Sequence, residues 1–252
     1  MARVRWLPVL AVVVAAGVGA APSRAAASSD AQAWLARMAE AMRASAYEGT
    51  LVYAPEGELE SMSVVHGYID GREHERMRTL SGEPFEVIRA GDEVTCVWPE
   101  SERVMVSQRP GDLLPPKPPR GLDSLPGAYR AELGERSRIA GREAQVIHVR
   151  PDDDLRYGYR MWIDRDTGIL LRSDLLAADG EAVERLMFTR LRTLRRVERE
   201  RFESTLEGME YMAHGDPAEG REPLEDPRWR ITELPPGFDL VSHRREAMPP
   251  RG

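Results

Sequence analysis

Apolar and polar residues alternate clearly between Arg156 and Leu176, and this pattern predicts two adjacent strands. Four large apolar side chains recur at every second position of the first strand: Tyr157, Tyr159, Met161 and Ile163. A spacing of two is typical of a strand with one buried and one solvated face. The run from Asp164 to Gly168 then supplies carboxylates that can cap their own backbone and a glycine that accepts positive φ. We therefore predict a hairpin.

A helical repeat comes before the strands. Apolar residues recur there at helical spacing: Trp34, Leu35, Met38, Ala41 and Met42. Ser29 or Asp30 can cap the start of this helix. The charged residues Arg37, Glu40 and Arg43 face the other way, which predicts an amphipathic helix of about four turns that lies on an apolar surface.

Short runs with strand character, separated by turn signals, fill most of the remaining chain. They are Tyr47–Tyr53, Leu59–Ile69, His74–Leu80, Pro84–Arg89, Glu93–Trp98, Arg103–Gln108, Ala128–Arg138, Glu143–Arg150 and Ala182–Leu194. With the hairpin they give about eleven strands, and the short turns favour pairing of each strand with its predecessor. Open twisted sheets rarely exceed about ten strands, so the sheet must curl strongly or close into a barrel. We predict an α+β fold, mainly antiparallel β, with the N-terminal helix covering the hollow.

The two ends of the chain have a different character. Residues 1–25 resemble a signal peptide, with Arg3 and Arg5 before an apolar stretch and cleavage sites behind Ala20 or Ala25, which predicts export. The only cysteine is Cys96, so we expect neither a lipid anchor nor an internal disulfide. We interpret Cys96 as a buried strand residue.

The main domain is expected to span residues 26–206. Within it, the proline-rich stretch 109–126 reads as an extended loop, and Arg195–Leu206 as a short charged helix. Residues 207–227 resemble a linker. Trp229–Leu240 reads as the first strand and turn of a smaller domain at 228–252, which has too few residues for a core of its own.

Composition and motifs narrow the chemistry. A net charge of -7 argues against nucleic-acid binding. The sequence lacks the nucleophile, zinc-ligand and phosphate-loop motifs, and His66, His74 and His148 fall on different predicted strands. We read the run Asp152–Asp154 as a solvated turn rather than a cation site. We therefore predict no catalytic residue, metal ligand or cofactor.

Arginines are concentrated after residue 189 in this acidic chain. A solvated face is one interpretation of them, and a docking surface for an acidic peptide or a lipid phosphate is the other. The residues we assign to a partner-binding surface are Arg190, Arg192, Arg195, Arg196 and Arg199.

Several segments together resemble the MucB/RseB family of periplasmic regulators of the sigma-E envelope stress response. The segments that carry the resemblance are Tyr47–Tyr53, His66 with Glu75 and Arg76, Leu80–Gly82, Glu86–Arg89 through Cys96 and Pro99, Ile139–Arg142, and above all Arg156–Leu176 followed by Glu184–Thr189. The resemblance implies a large domain with the lipoprotein-carrier (LolA-like) fold, a curled, unclosed β-barrel. It also implies a periplasmic protein without catalysis that binds the periplasmic part of an anti-sigma factor of the RseA/MucA kind and shields it from site-1 proteolysis.

In that family, lipopolysaccharide or lipoprotein acyl chains are thought to release the shield. The family's small C-terminal domain continues beyond the point where this sequence ends, so we expect a truncated small domain and weaker partner binding. Self-association is left open. The alternatives are an exported enzyme and a periplasmic lipoprotein or lipid carrier of LolA type, which predicts an open apolar hollow lined by Leu51, Tyr53, Val65 and Met161.

Overall fold

The computed structural model describes residues 24–55, 57–107, 128–204, 210–213, 232–236 and 238. Residues 1–23 of the predicted signal peptide, the predicted loop at 109–126 and most of the predicted linker lie outside the described residues. The predicted cleavage sites therefore stay predictions.

One helix and twelve strands make up the described fold, together with short 3-10 turns at Pro99–Ser101 and Arg199–Phe202. The elements are α1 (Arg24–Ala44), β1 (Ala46–Pro55), β2 (Glu60–Ile69), β3 (Arg72–Thr79), β4 (Glu86–Ala90), β5 (Glu93–Trp98), β6 (Arg103–Ser107), β7 (Tyr129–Ile139), β8 (Arg142–Pro151), β9 (Gly158–Asp164), β10 (Leu170–Leu176), β11 (Ala182–Leu194) and β12 (Glu210–Ala213).

All twelve strands belong to one sheet, in the order β12-β6-β5-β4-β3-β2-β1-β11-β10-β9-β8-β7. Strands β1 to β6 and β7 to β11 form two antiparallel meanders, and β1 joins them by pairing with β11. Strand β7 ends the sheet on one side and β12 on the other, so the sheet is unclosed. The prediction of a mainly antiparallel, unclosed sheet with one N-terminal helix is confirmed.

Strand β12 was not predicted, and it lies inside the stretch 207–227 that the sequence suggested was a linker. It pairs in parallel with β6, from Glu210 opposite Arg103 to Ala213 opposite Val106. Without this partner, β6 would be an edge strand with a row of unpaired backbone groups. The ladder with β6 therefore explains why so short a segment forms a strand.

Helix α1 packs on the face of the sheet formed by β7, β8, β9 and β10. Leu35 and Met38 share a fully or nearly buried cluster with Ile147, Met161 and Ile163. The helix begins at Arg24, so Ser29 and Asp30 lie inside it and the expectation that either one caps it was wrong. The alanines at 25–27 are strong helix formers, which accounts for the earlier start.

The hairpin of β9 and β10 has the predicted turn but a different burial. The Asp164 carboxylate accepts hydrogen bonds from the backbone N–H groups of Asp166 and Thr167 at 3.0 and 2.7 Å, and Gly168 has a φ of 83°. Both faces of β9 are buried, because Met161 lies under α1 while Trp162, on the other face, is 7% exposed. The expectation of one solvated face was therefore wrong.

The segment after β11 folds back over the sheet. Val197 is buried. A Cβ atom added to Gly67 would lie 2.7 Å from Val197 Cγ2, so the segment approaches β2 this closely only because position 67 is glycine. Phe202 is also buried, with its ring 5.3 Å from that of His74. These two contacts replace the predicted helix at Arg195–Leu206: the described part contains only the 3-10 turn Arg199–Phe202, flanked by extended residues.

Cys96 is buried in β5, as predicted, with 1% exposure. Burial raises the pKa of its thiol to about 11. Because the thiolate is the reactive species, we expect an aromatic disulfide reagent to label the folded protein at neutral pH far more slowly than the urea-unfolded protein. Equal labelling rates in the two states would contradict this assignment.

Arg156 connects the sheet with the described part of the predicted small domain. Its Nη2 donates to the Pro236 carbonyl, its Nη1 pairs with Asp153, and its guanidinium lies 4.3 Å from the centre of the Phe238 ring. The Phe238 N–H donates to the Pro235 carbonyl at 3.0 Å, which confirms the predicted turn. The predicted strand is absent from the described residues of this segment.

We expect Arg156→Ala to release this segment. A cation–π contact and a charge-assisted hydrogen bond together contribute about 1 to 2 kcal/mol, so amide exchange in peptides covering 232–238 should accelerate about tenfold. Arg150→Ala is the matched control, because the ion pair that Arg150 makes with a described residue is an exposed one, with Glu132 at 3.5 Å. Unchanged exchange in Arg156→Ala, or equal acceleration in both variants, would show that Arg156 does not hold the segment.

Candidate functional site

An open groove of about 330 Å³ lies on the face of the sheet formed by β11, β1, β2 and β3. We call it the arginine groove, because the described residues that line it include five arginines and one carboxylate, that of Glu48. These arginines are Arg76, Arg78, Arg190, Arg192 and Arg201. Four of them stand on strands, and Arg201 belongs to the segment that folds back after β11.

The strand register builds the groove as two rows of cross-strand neighbours. In the first row Arg190 pairs with Thr50, Thr50 with Ser63, and Ser63 with Arg78. In the second row Arg192 pairs with Glu48, Glu48 with Val65, and Val65 with Arg76. Directly paired residues in antiparallel strands project from the same face. The residues next to them along the strands, such as Leu51 and Val64, therefore project to the opposite face, where they are buried.

A glycine and a bulge place Arg190 in the first row. A Cβ added to Gly49 would collide with the Arg190 carbonyl oxygen and lie 2.9 Å from the Phe188 ring, so β1 can approach β11 this closely only with glycine at 49. The register shifts by one residue between Thr50 and Leu51, which leaves Thr189 unpaired. Its hydroxyl donates to the Thr50 carbonyl at 3.2 Å.

The Glu48 carboxylate is charged, and each of its two oxygens accepts a hydrogen bond from an arginine side chain. Arg192 Nε donates to its Oε1 at 2.9 Å and Arg201 Nη2 donates to its Oε2 at 2.6 Å. Burial alone would raise the pKa of the Glu48 carboxyl, but the hydrogen bonds from Arg192 and Arg201 and their charges outweigh burial and lower it. The carboxylate therefore ties the folded-back segment to the sheet.

Arg76 is held in a similar way at the other side of the groove. Its Nε pairs with Glu86, and its Nη1 donates to the Arg201 carbonyl at 3.3 Å. Glu86 also accepts from the Ser204 hydroxyl at 3.3 Å. The Nη2 atom of Arg76 is buried and has no hydrogen-bond partner within the described residues.

The remaining two arginines of the groove are free of ion pairs with the described residues. Arg78 and Arg190 are exposed at the two ends of the first row. The carboxylates of Glu48 and Glu86 are already paired with the other three guanidiniums. The groove therefore carries a local excess of positive charge in a chain whose net charge is -7.

The structure divides the arginine surface predicted from the sequence. Arg190 and Arg192 line the groove, whereas Arg195, Arg196 and Arg199 do not. Arg199 pairs with Asp70 at 2.6 Å, beside the turn that joins β2 and β3. The sequence analysis did not assign Arg76 and Arg78 to the site. Their spacing of two places them on one face of β3, but it does not show which strands lie beside β3.

The residues predicted to line an open apolar hollow do not share one cavity in the described structure. Leu51 and Met161 are closely packed, with 4% and 0% exposure, and Tyr53 is half-buried against the cluster that contains Leu51. Val65 stands in the second row of the arginine groove and outside the buried cluster that contains Leu51, so its assignment to the hollow has no support from the described residues. A run of two valines at 64 and 65 left the inward residue of β2 ambiguous, and Val64 is the one that points inward.

Other chemistry has little support within the residues that the structure describes. The His66 ring bridges two groups of the protein, since its Nδ1 lies 2.7 Å from the Ser45 carbonyl oxygen and its Nε2 lies 3.2 Å from Glu73 Oε1. Both ring nitrogens are therefore engaged in structural contacts. Among the described residues, no three of histidine, cysteine, aspartate and glutamate stand close enough to hold a metal ion. The one described helix is not long and apolar enough to cross a membrane.

Comparisons with known proteins agree with this fold. The family model for the MucB/RseB N-terminal domain matches residues 30–206. The sigma factor AlgU regulatory protein MucB of Pseudomonas aeruginosa is 34% identical over 216 residues, which cover 85% of this chain and 65% of MucB. The sigma-E factor regulatory protein RseB of Haemophilus influenzae is 27% identical over 215 residues, covering 85% of this chain and 67% of RseB.

Solved structures give the same relationship. A crystal structure of MucB matches with a TM-score of 0.63 and 31% identity over 85% of this chain and 71% of that one. A crystal structure of MucB in complex with MucA(peri) matches with a TM-score of 0.64 and 32% identity over 88% of this chain and 72% of that one. The chain spans about two thirds of the length of these two curated relatives. On the strength of the family model, which covers most of the chain, this protein belongs to the MucB/RseB family.

Proposed function

We propose that this protein binds the periplasmic domain of a membrane-bound anti-sigma factor and shields it from site-1 proteolysis. It thereby acts as a negative regulator of a sigma-E type of envelope stress response. The observation that carries the proposal is the match to MucB in complex with MucA(peri), at 32% identity over 88% of this chain. The names of the curated relatives, which are sigma factor regulatory proteins, support it.

The place of action is the periplasm. The predicted signal peptide at 1–25 supports this location, because a positive segment before a short apolar one directs export. The proposal needs no catalysis: the protein acts by occupying its partner. Lipopolysaccharide or lipoprotein acyl chains are proposed to relieve the shielding by weakening the complex, although the described residues assign this release no binding site.

The carrier alternative has no comparable support. It requires an open hollow able to accept acyl chains, whereas Leu51 and Met161 are packed in closed clusters with neighbouring strands and α1. The groove that is open has a mainly polar lining of arginines, hydroxyls and one carboxylate. Apolar contact is the main driving force for acyl-chain binding, so this groove is a poor acyl-chain site.

The proposal is tested by mixing the purified mature protein with the periplasmic domain of its cognate anti-sigma factor. We expect a stable complex in size-exclusion chromatography and a saturable heat signal in calorimetry. The periplasmic domain of an unrelated membrane protein with the same net charge is the control for non-specific attraction. Absence of a complex at concentrations where relatives of this family bind their own partners would contradict the proposal.

A further inference from the structure

The first row of the arginine groove has the layout of a peptide-binding surface for paired carboxylates. Arg190 and Arg78 stand at its ends, with the side chains of Thr50 and Ser63 between them. Neighbouring strands are about 4.8 Å apart, so three strand spacings separate the two arginine backbones by about 14 Å. Long, flexible side chains at both ends can reach toward one another over the two hydroxyls.

The charge of the row is uncompensated within the described structure. In the second row, Glu48 and Glu86 satisfy Arg192, Arg201 and Arg76. Arg78 and Arg190 are exposed and make no ion pair with described residues. A guanidinium presents a planar fork of N–H donors that matches a carboxylate in bidentate fashion, and two such forks favour a ligand with two carboxylates.

The position of the row excludes the other common mode of peptide binding. It crosses β11, β1, β2 and β3, each of which has a partner strand on both sides. No strand edge is therefore available there, and a peptide cannot add to the sheet by backbone pairing. Recognition has to use side chains. Among the described lining residues, the side chains other than Val64 and Val65 are polar or charged, which also disfavours a lipid tail.

We propose that an acidic stretch of the anti-sigma factor's periplasmic domain docks along the row Arg190–Thr50–Ser63–Arg78, with one carboxylate on each arginine and the hydroxyls bonding the peptide between them. This assignment rests on the proposed function and names the surface that performs it. It also separates the two groove arginines from Arg195 and Arg196, which are exposed as well but lie outside the groove.

The experiment compares two variants that lose the same charge. Arg78→Ala/Arg190→Ala removes the ends of the row, and Arg195→Ala/Arg196→Ala removes two exposed arginines elsewhere. We expect the first to weaken binding of the anti-sigma periplasmic domain about tenfold or more and the second less than about twofold, since charge-assisted hydrogen bonds outweigh distant surface charge. Because all four side chains are exposed, equal melting temperatures should show that both variants fold.

A synthetic peptide rich in aspartate and glutamate provides a second probe. It should bind the wild-type protein at low salt, bind the Arg78→Ala/Arg190→Ala variant at least about tenfold more weakly, and lose affinity as salt is raised. Vesicles with an anionic phospholipid test the competing source of negative charge. Vesicle binding that depends on Arg78 and Arg190, without peptide binding, would overturn the assignment.

The outcomes distinguish this assignment from the function on which it rests. If the anti-sigma domain binds wild type and both double variants equally, the groove assignment is overturned while the proposed function stands. If the acidic peptide binds through Arg78 and Arg190 but the anti-sigma domain does not bind the wild-type protein, the proposed function is contradicted, and the groove remains a site for acidic peptides of another partner.

Discussion

Asp164→Asn is expected to lower the free energy of unfolding by about 3 kcal/mol, the lower end of the range for breaking a buried ion pair. Asp164 is 1% exposed, and Arg142 Nε donates to its Oδ2 at 2.5 Å. Its Oδ1 accepts from the Thr167 N–H at 2.7 Å and the Thr167 hydroxyl at 2.9 Å. Asparagine has one acceptor oxygen and turns an N–H₂ group toward the remaining donors.

The effect is large because Asp164 joins three parts of the fold. It ends β9, caps the turn to β10, and binds the first residue of β8. The same turn receives α1, since Arg37 Nη2 donates to the carbonyls of Arg165 and Asp166 at 2.9 and 2.8 Å. The control is Asp152→Asn, which breaks the exposed pair with Arg130 and should cost less than about 1 kcal/mol.

The same residue predicts a pH dependence. Burial would raise the pKa of the Asp164 carboxyl, but the hydrogen bonds from Arg142 and Thr167 outweigh burial and lower it. A lowered pKa in the folded state contributes stability that is complete above the ordinary value of about 3.9 and is lost as pH falls through the lowered value. Urea unfolding between pH 7 and pH 3 should therefore show a larger loss for wild type than for Asp164→Asn. An equal loss of stability in the two proteins would contradict the ion pair between Asp164 and Arg142.

Leu35→Ala is expected to destabilise the protein by about 2 to 5 kcal/mol, the range for truncating a buried leucine. Leu35 is fully buried between α1 and the sheet, in the cluster that includes Met161 and Ile163. Its removal leaves a cavity at the point where the only described helix meets β9. The measurement is the urea midpoint at an unchanged slope, which separates lost stability from a change in the unfolded state.

The matched control for this substitution is Leu59→Ala. Leu59 is 73% exposed, so the same chemical change removes little buried surface there. We expect its free energy of unfolding to stay within about 0.5 kcal/mol of wild type. A similar loss in both variants would mean that helix packing does not govern stability.

The sequence predicted the strands well because alternation is a local property. All eleven strands predicted for the main domain are present, and the cap of the β9–β10 turn by Asp164 follows from residues within the turn itself. The family resemblance was also confirmed, since the segments that carried it lie within the matched residues 30–206. These features depend on neighbours along the chain.

Apart from the start of α1, the errors concern contacts between distant segments. The pairing of β1 with β11 brings Arg190 beside Thr50, and nothing in either segment alone indicates it. The face of Val65 depends on which of two consecutive valines points inward, and β12 exists because β6 offers it a ladder. The arginine groove therefore could not be predicted from the sequence, because its arginines lie on separate segments and only the pairing of the strands brings them together.

The central claim is that this protein protects an anti-sigma factor by occupying it, and protease protection tests it most directly. Activated site-1 protease is mixed with the anti-sigma periplasmic domain and increasing amounts of the mature protein, and the cleavage rate is followed. A second substrate of the same protease, unrelated to the anti-sigma factor, controls for inhibition of the enzyme itself. The account predicts that cleavage of the anti-sigma domain falls toward zero at saturation while the control substrate is cut normally. An unchanged cleavage rate at saturating protein would contradict it.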